Sequence, residues 1–216
     1  MKSNFSYLLV ALLIFLIGVP IAEDLNILSQ PVVRTLGFVT LLVIGVWSLK
    51  SSGPIFLIGM GFAVAAILLN VIAVATDNQA IAAGSFAMLM FFLLIAIINT
   101  LRQVAFGHEI SFNRLVGAVC VYLLLGLIWA VAYTLIEIAQ PGSFDGLAYT
   151  GGAGGWNPSW IYFSFVTMTT LGYGDLLPIG STARMFAYLQ AVFGQFYIAV
   201  LVAGLVSAYI SARQKN

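Results

Sequence analysis

Thr167-Met168-Thr169-Thr170-Leu171-Gly172-Tyr173-Gly174-Asp175 is the stretch on which the fold turns. Gly172 and Gly174, at alternate positions, admit backbone conformations that other residues avoid, so a helix cannot be expected to run through them. Just upstream, residues 158–169 are apolar but fall short of the roughly 20 residues that cross a bilayer. Asn157 is a good N-cap, and Pro158 suits the first helical position, where its missing N–H costs nothing. The segment therefore reads as a re-entrant helix that enters from outside and stops near mid-membrane. Its C-terminal end carries about half a negative charge, which favours a cation beneath it.

Working outward, apolar runs of membrane-crossing length fall at 5–22, 31–50, 54–76, 80–101, 115–138 and 184–211. The fold class expected is an all-α membrane protein of six transmembrane helices, with the re-entrant helix between the fifth and sixth. The composition agrees: 62% hydrophobic and 7% charged residues, with a mean hydropathy of +1.09, leave too little polar surface for a soluble globule. Eight Lys and Arg scattered singly, and a net charge of +1, give no basic face for a nucleic acid, so none is expected as a partner. Cys120 is the single cysteine and sits mid-helix, so it is a packing residue rather than half of an intrachain disulfide.

Cytoplasmic loops retain Lys and Arg. With the N-terminus inside, Lys2, Lys50, Arg102, Arg114, Arg213 and Lys215 are cytoplasmic, and only Arg34 and Arg184 lie outside. Glu23, Asp24, Asp77, Glu137, Asp145 and Asp175 then lie outside and Glu109 inside. Both termini are thus expected in the cytoplasm, the chain crossing the plasma (inner) membrane several times among its lipids. Lys2, an apolar stretch and Pro20-Ile21-Ala22 also fit a cleavable signal peptide; cleavage would leave five spans without inverting the rest.

Non-helical backbone at membrane depth is tolerated only where it is buried in protein or lines a wet cavity. Turned to a central axis, the carbonyls of Thr170, Leu171, Gly172 and Tyr173 and the Thr170 hydroxyl become oxygen ligands that can replace an ion's hydration shell. Here TMTTLGYGD resembles the filter of the potassium-channel family, usually T-x-T-T-V-G-Y-G-D. The order span, short helix, filter, span is that family's as well. The resemblance implies K+ ions bound at Thr170, Leu171, Gly172 and Tyr173 and a filter of residues Thr170 to Gly174. Thr167, Thr169, Tyr162, Phe163 and Asp175 would support it, and no organic cofactor is expected. Leu171 stands where valine is usual, which leaves its carbonyl in place. The pore-helix acid that sits behind many such filters is Val166 here, a departure that bears on filter rigidity and inactivation. Tyr162 and Phe163 match the family's aromatic cuff, although Phe163 has no hydrogen bond to donate.

One filter motif per chain supplies one side of each ion cage, so the resemblance implies a homotetramer. The last span, roughly 42 Å long by helical rise, is expected to tilt and line the inner pore. Gly194 falls where related channels carry a hinge glycine, but close packing serves Gly194 or Gly204 equally well. Gln190 and Gln195 are polar in an apolar helix, and such side chains face protein or water. Gln195 is a candidate to line the cavity, with an interhelical hydrogen bond as the other reading.

Residues 1–104 are expected as a four-helix peripheral domain and 105–216 as the pore domain. The fourth run, 80–101, contains no Lys or Arg. A gating charge contributes about 2.3 kcal/mol per 100 mV, and steep voltage dependence needs several. Arg102 reads as a topology anchor, so the peripheral domain resembles a voltage sensor in plan only, and the chain resembles small bacterial six-span channels without one. The few residues after Ser211 leave no room for a regulatory domain, so gating is expected from the membrane part or from a separate partner. His108 beside Glu109 is a candidate pH sensor, against a solvated interfacial side chain. An intramembrane serine protease is disfavoured because His108 lies in a polar loop without a Gly-x-Ser-x-Gly motif. A secondary transporter is disfavoured because only one segment is interrupted. The nearer rival is a weakly selective or non-selective cation channel.

Overall fold

The computed structural model describes residues 5–25, 39–40, 42–43, 53–106, 112–146 and 157–214. It is mostly helical, with α1 Phe5–Asp24, α2 Pro54–Thr76, α3 Gln79–Phe106, α4 Phe112–Ala139, the short α5 Ser159–Met168, α6 Ser181–Phe196, a π-helical stretch Tyr197–Val202, and α7 Ala203–Gln214. A two-stranded antiparallel ribbon, β1 Phe144–Asp145 and β2 Leu177–Pro178, completes it. Five described helical segments are long and apolar enough to cross a membrane: Phe5–Ala22, Ile55–Thr76, Gln79–Ala105, Phe112–Ala139 and Ser181–Ser211. Apart from residues 39–40 and 42–43, the run at 31–50 lies outside the described residues, as do His108 and Glu109.

Local chemistry fixes the joints. Between α2 and α3 the chain reverses at Asp77 and Asn78, where Asp77 adopts φ 47° and sends its N–H to the Ala73 carbonyl. Asn78 Oδ1 then accepts the Ala80 and Ile81 N–H groups at 2.9 and 3.3 Å, satisfying donors that open α3. At the other end of α3, the buried Arg114 on α4 donates from Nε to the Val104 carbonyl at 2.8 Å and from Nη2 to Ala105 at 3.1 Å. A cation on the last carbonyls of a helix meets both its unpaired acceptors and the negative end of its dipole. Arg114 thus caps α3 and ties it to α4.

α4 is the central helix, with buried residues running from Arg114 to Ile136. α1 lies against its N-terminal half: the Phe5 N–H reaches Asn113 Oδ1 at 2.9 Å, the Cys120 thiol donates to the Phe5 carbonyl at 3.6 Å, and Gly117 leaves room for the Phe5 ring. Cys120 is fully buried, in line with its packing role. α6 is inverted relative to a helix of a soluble protein. It buries Ala183, Gln190 and Gly194 and exposes Tyr188, Val192, Phe193 and Phe196. Such an apolar exposed face suits contact with lipid or another protein surface rather than water.

Candidate functional site

The short helix α5 begins one residue later than the sequence placed it: Pro158, with φ −58° and ψ −22°, stands at the N-cap, Ser159 opens the helix, and Asn157 Oδ1 accepts the Ser159 N–H at 2.9 Å. An aromatic cluster holds it. Phe163 lies edge-on to Tyr133 at 4.8 Å and to Phe144 at 5.5 Å, and Phe144 meets Trp160 at 4.8 Å. Phe163 therefore supports α5 by packing, being 5% exposed among rings from α4 and β1. On the opposite side Gly126 lets the Phe165 ring approach so closely that a Cβ there would fall 2.5 Å from it.

At its C-terminus α5 gives way to the filter stretch. Thr170, Gly172 and Gly174 have φ of 59°, 57° and 79°, while Leu171 and Tyr173 between them do not take positive φ. An alternating left- and right-handed backbone turns successive N–H groups to one side and carbonyls to the other, the arrangement that makes ion-binding concavities from peptide dipoles. The N–H side is visible directly, because Leu171 and Gly172 both donate back to the Val166 carbonyl of α5, at 2.9 and 3.3 Å. Val166 holds the loop after α5 through its backbone carbonyl although its side chain carries no acid. Thr170 Oγ1 donates to the Thr169 carbonyl at 2.6 Å and Thr169 Oγ1 to Phe165 at 2.7 Å. With its hydrogen so engaged, the Thr170 hydroxyl has only lone pairs left to present. Thr167 is half-buried, and its carbonyl accepts the Thr170 N–H at 3.0 Å.

Tyr162 does more than pack. Its hydroxyl donates to Asp175 Oδ2 at 2.6 Å, and its ring stacks on Tyr173 at 6.4 Å with a 9° interplanar angle. The C-terminal end of the filter-like stretch is thereby tied to α5, bridging 13 residues. The hydrogen bond to Asp175 pushes the Tyr162 hydroxyl up to about 12, so it remains a donor at neutral pH. β1 and β2 pin the next segment, pairing Phe144 with Pro178 and Asp145 with Leu177. The Ser143 carbonyl adds bonds from the Ile179 and Gly180 N–H groups at 2.9 and 3.0 Å.

Gly194 is buried against the end of α5, where a Cβ would fall 2.6 Å from both Met168 Cγ and the Met168 carbonyl oxygen. The departure from α-helical hydrogen bonding occurs beyond it, at Tyr197–Val202, where the Tyr197 hydroxyl donates to the Ala118 carbonyl at 2.7 Å. Gln195 is exposed on the single chain. Gln190 is fully buried and bonded to α4 and α5, partners that nothing local in the sequence announces. Leu171 and Tyr173 are 55% and 67% exposed.

Residues 119–211 match a family model described as ion channel. The inward rectifier potassium channel Kirbac3.1 of Paramagnetospirillum magnetotacticum is 36% identical over 83 residues, 37% of this chain and 24% of that protein. Two pore potassium channel c of Oryza sativa subsp. japonica is 32% identical over 78 residues, 35% of this chain and 16% of that protein. Two-pore potassium channel 5 of Arabidopsis thaliana is 33% identical over 54 residues, 25% of this chain and 13% of that protein. The chain thus spans about a quarter or less of the length of these relatives. No solved structure matches it. The match covers most of α4, the short helix, the filter stretch and the last span, and over residues 119–211 this membrane protein is similar to ion channels, potassium channels among them.

Proposed function

We propose that the chain is one subunit of a homotetrameric, potassium-selective channel that conducts K+ passively and is not strongly voltage-gated. The observation that carries this reading is the alternation of φ at Thr170, Gly172 and Gly174, with the Leu171 and Gly172 N–H groups turned back to Val166. That backbone leaves the carbonyls of Thr170, Leu171, Gly172 and Tyr173 to face an axis as K+ ligands. Assembly is supported by the exposure of Leu171 and Tyr173 and by the apolar face of α6, surfaces that three further copies would cover.

In this reading the run at 31–50 completes six spans, α5 is the re-entrant pore helix, and residues 1–104 and 105–216 are the peripheral and pore domains. Both termini lie in the cytoplasm and the membrane is the plasma membrane. Gln195, on the exposed side of the inner helix, lines the cavity. Gly194 packs against the pore helix and marks the level about which the lower inner helix bends. Regulation then comes from the membrane part or a separate partner.

The test is reconstitution in planar bilayers under opposed K+ and Na+ gradients. Reversal near the K+ equilibrium potential, with open probability nearly flat in voltage, is the expected result. Reversal near zero would establish the weakly selective cation channel instead, and steep activation by voltage would overturn the reading of residues 80–101.

A further inference from the structure

Gln190 occupies a place where a polar side chain needs a reason. It lies on α6 with no solvent exposure, between α4 and α5. Its Oε1 accepts the Tyr133 hydroxyl of α4 at 2.5 Å, and its Nε2 donates to the Ser164 carbonyl at 3.0 Å and to Ser164 Oγ at 2.7 Å. Ser164 Oγ in turn donates to the Gly126 carbonyl of α4 at 2.6 Å. Both amide hydrogens are used, and reversing the amide would set its oxygen against the Ser164 carbonyl. The three helices around the filter are therefore joined by one directed chain of hydrogen bonds in a buried layer, where leaving a donor unmatched is costly.

The position of that chain relative to the filter gives it a second meaning. Ser164 stands two residues before Val166, whose carbonyl holds the Leu171 and Gly172 N–H groups. One helical turn below Gln190, Gly194 abuts Met168, the last residue of α5. α6 thus grips α5 at two levels on one face, by hydrogen bonds above and by close contact below.

We propose that Gln190, with Tyr133, is the positioning residue that sets the height and rotation of the pore helix, and through Val166 the spacing of the filter carbonyls. The network does from the rear of the pore helix what an acid at position 166 cannot do here. It also makes the filter sensitive to movement of the inner helix, because a shift of Gln190 is transmitted to Ser164 without slack. The inference rests on the potassium-selective reading above.

The test uses the full chain in detergent or nanodiscs and measures the K+ concentration for half-maximal protection against thermal unfolding, in a Na+ background, beside the Na+-to-K+ permeability ratio in bilayers. Wild type without K+ preference in either measurement would overturn the functional reading and the proposal with it. Given that preference, Gln190→Met should raise the half-protecting K+ concentration about tenfold and raise relative Na+ permeability. Tyr133→Phe, a smaller excision that keeps the ring in its aromatic cluster, should move both quantities the same way by about threefold. The double variant should be no worse than Gln190→Met alone, because both changes break one chain. A purely structural role would lower the melting temperature equally in K+ and Na+ with no change in permeability ratio, and that result would refute the proposal. If Gln190→Met does not assemble, Tyr133→Phe with an unchanged permeability ratio and unchanged K+ protection would refute it alone.

Discussion

Replacing Gly194 by alanine places a methyl group where no space exists. The added carbon would meet the Met168 carbonyl oxygen at 2.6 Å, and an ordinary van der Waals contact starts near 3.4 Å, so the shortfall is about 0.8 Å. Met168 Cγ at the same distance can rotate away; the carbonyl belongs to the backbone at the end of α5 and cannot. Either α6 or α5 must move, and overpacking of this kind costs about 1–3 kcal/mol. Alanine also favours the helix by about 1 kcal/mol over glycine, a gain that obscures the steric cost unless it is matched. Gly204→Ala supplies the match, since a Cβ there has nothing within 4 Å and the propensity gain is shared. The difference between the two variants in unfolding free energy, from denaturant titration in micelles followed by circular dichroism, should therefore be about 1–3 kcal/mol, with Gly194→Ala the less stable. A residue needed only as a bending point would change gating and leave the two variants equally stable. Equal stabilities would refute the packing argument at Gly194.

Three further outcomes follow from the geometry. Gly172→Ala forces a side chain onto φ 57°, a cost of about 1–2 kcal/mol; it should abolish K+-selective flux while the protein still elutes as a tetramer, and unchanged flux would sink the filter assignment. Tyr162→Phe removes the hydroxyl that holds Asp175 and should hasten the decline of current during prolonged opening; in wild type, with that hydroxyl raised from 10.0 to about 12, the bond's contribution is present in full below pH 10 and is lost as pH rises through about 12, so K+ protection should be flat from pH 6 to 9 as far as this group is concerned. Arg114→Met keeps most of the packing but uncaps α3, and should lower stability by about 1–3 kcal/mol in the same micelle titration.

The sequence alone determined the features governed by local constraints. Apolar runs of the right length specify α2 at 54–76 to the residue, because solvation in lipid is a property of the segment itself. Observed α1, α3, α4 and the last helical segment extend the other described runs by a few residues, since capping and fraying set helix ends. Asn157, Pro158, Gly172 and Gly174 declare the short helix and its sharp stop through capping and φ preferences that need no distant partner. Only the tertiary structure decided which glutamine is buried. Gln190 and Gln195 are five residues apart, about 140° around a helix, so they cannot share one face, and the sequence does not say which of the two faces the neighbouring helices. Packing against α4 and α5 fixes that choice, and with it the bonds from Gln190 to Tyr133, 57 residues away, and to Ser164, 26 residues away. The Met168 contact of Gly194, the Tyr162–Asp175 bond and the Arg114 cap are of the same kind. Each depends on how helices meet, which is set by contacts between segments far apart in the chain rather than by the pattern within any one of them.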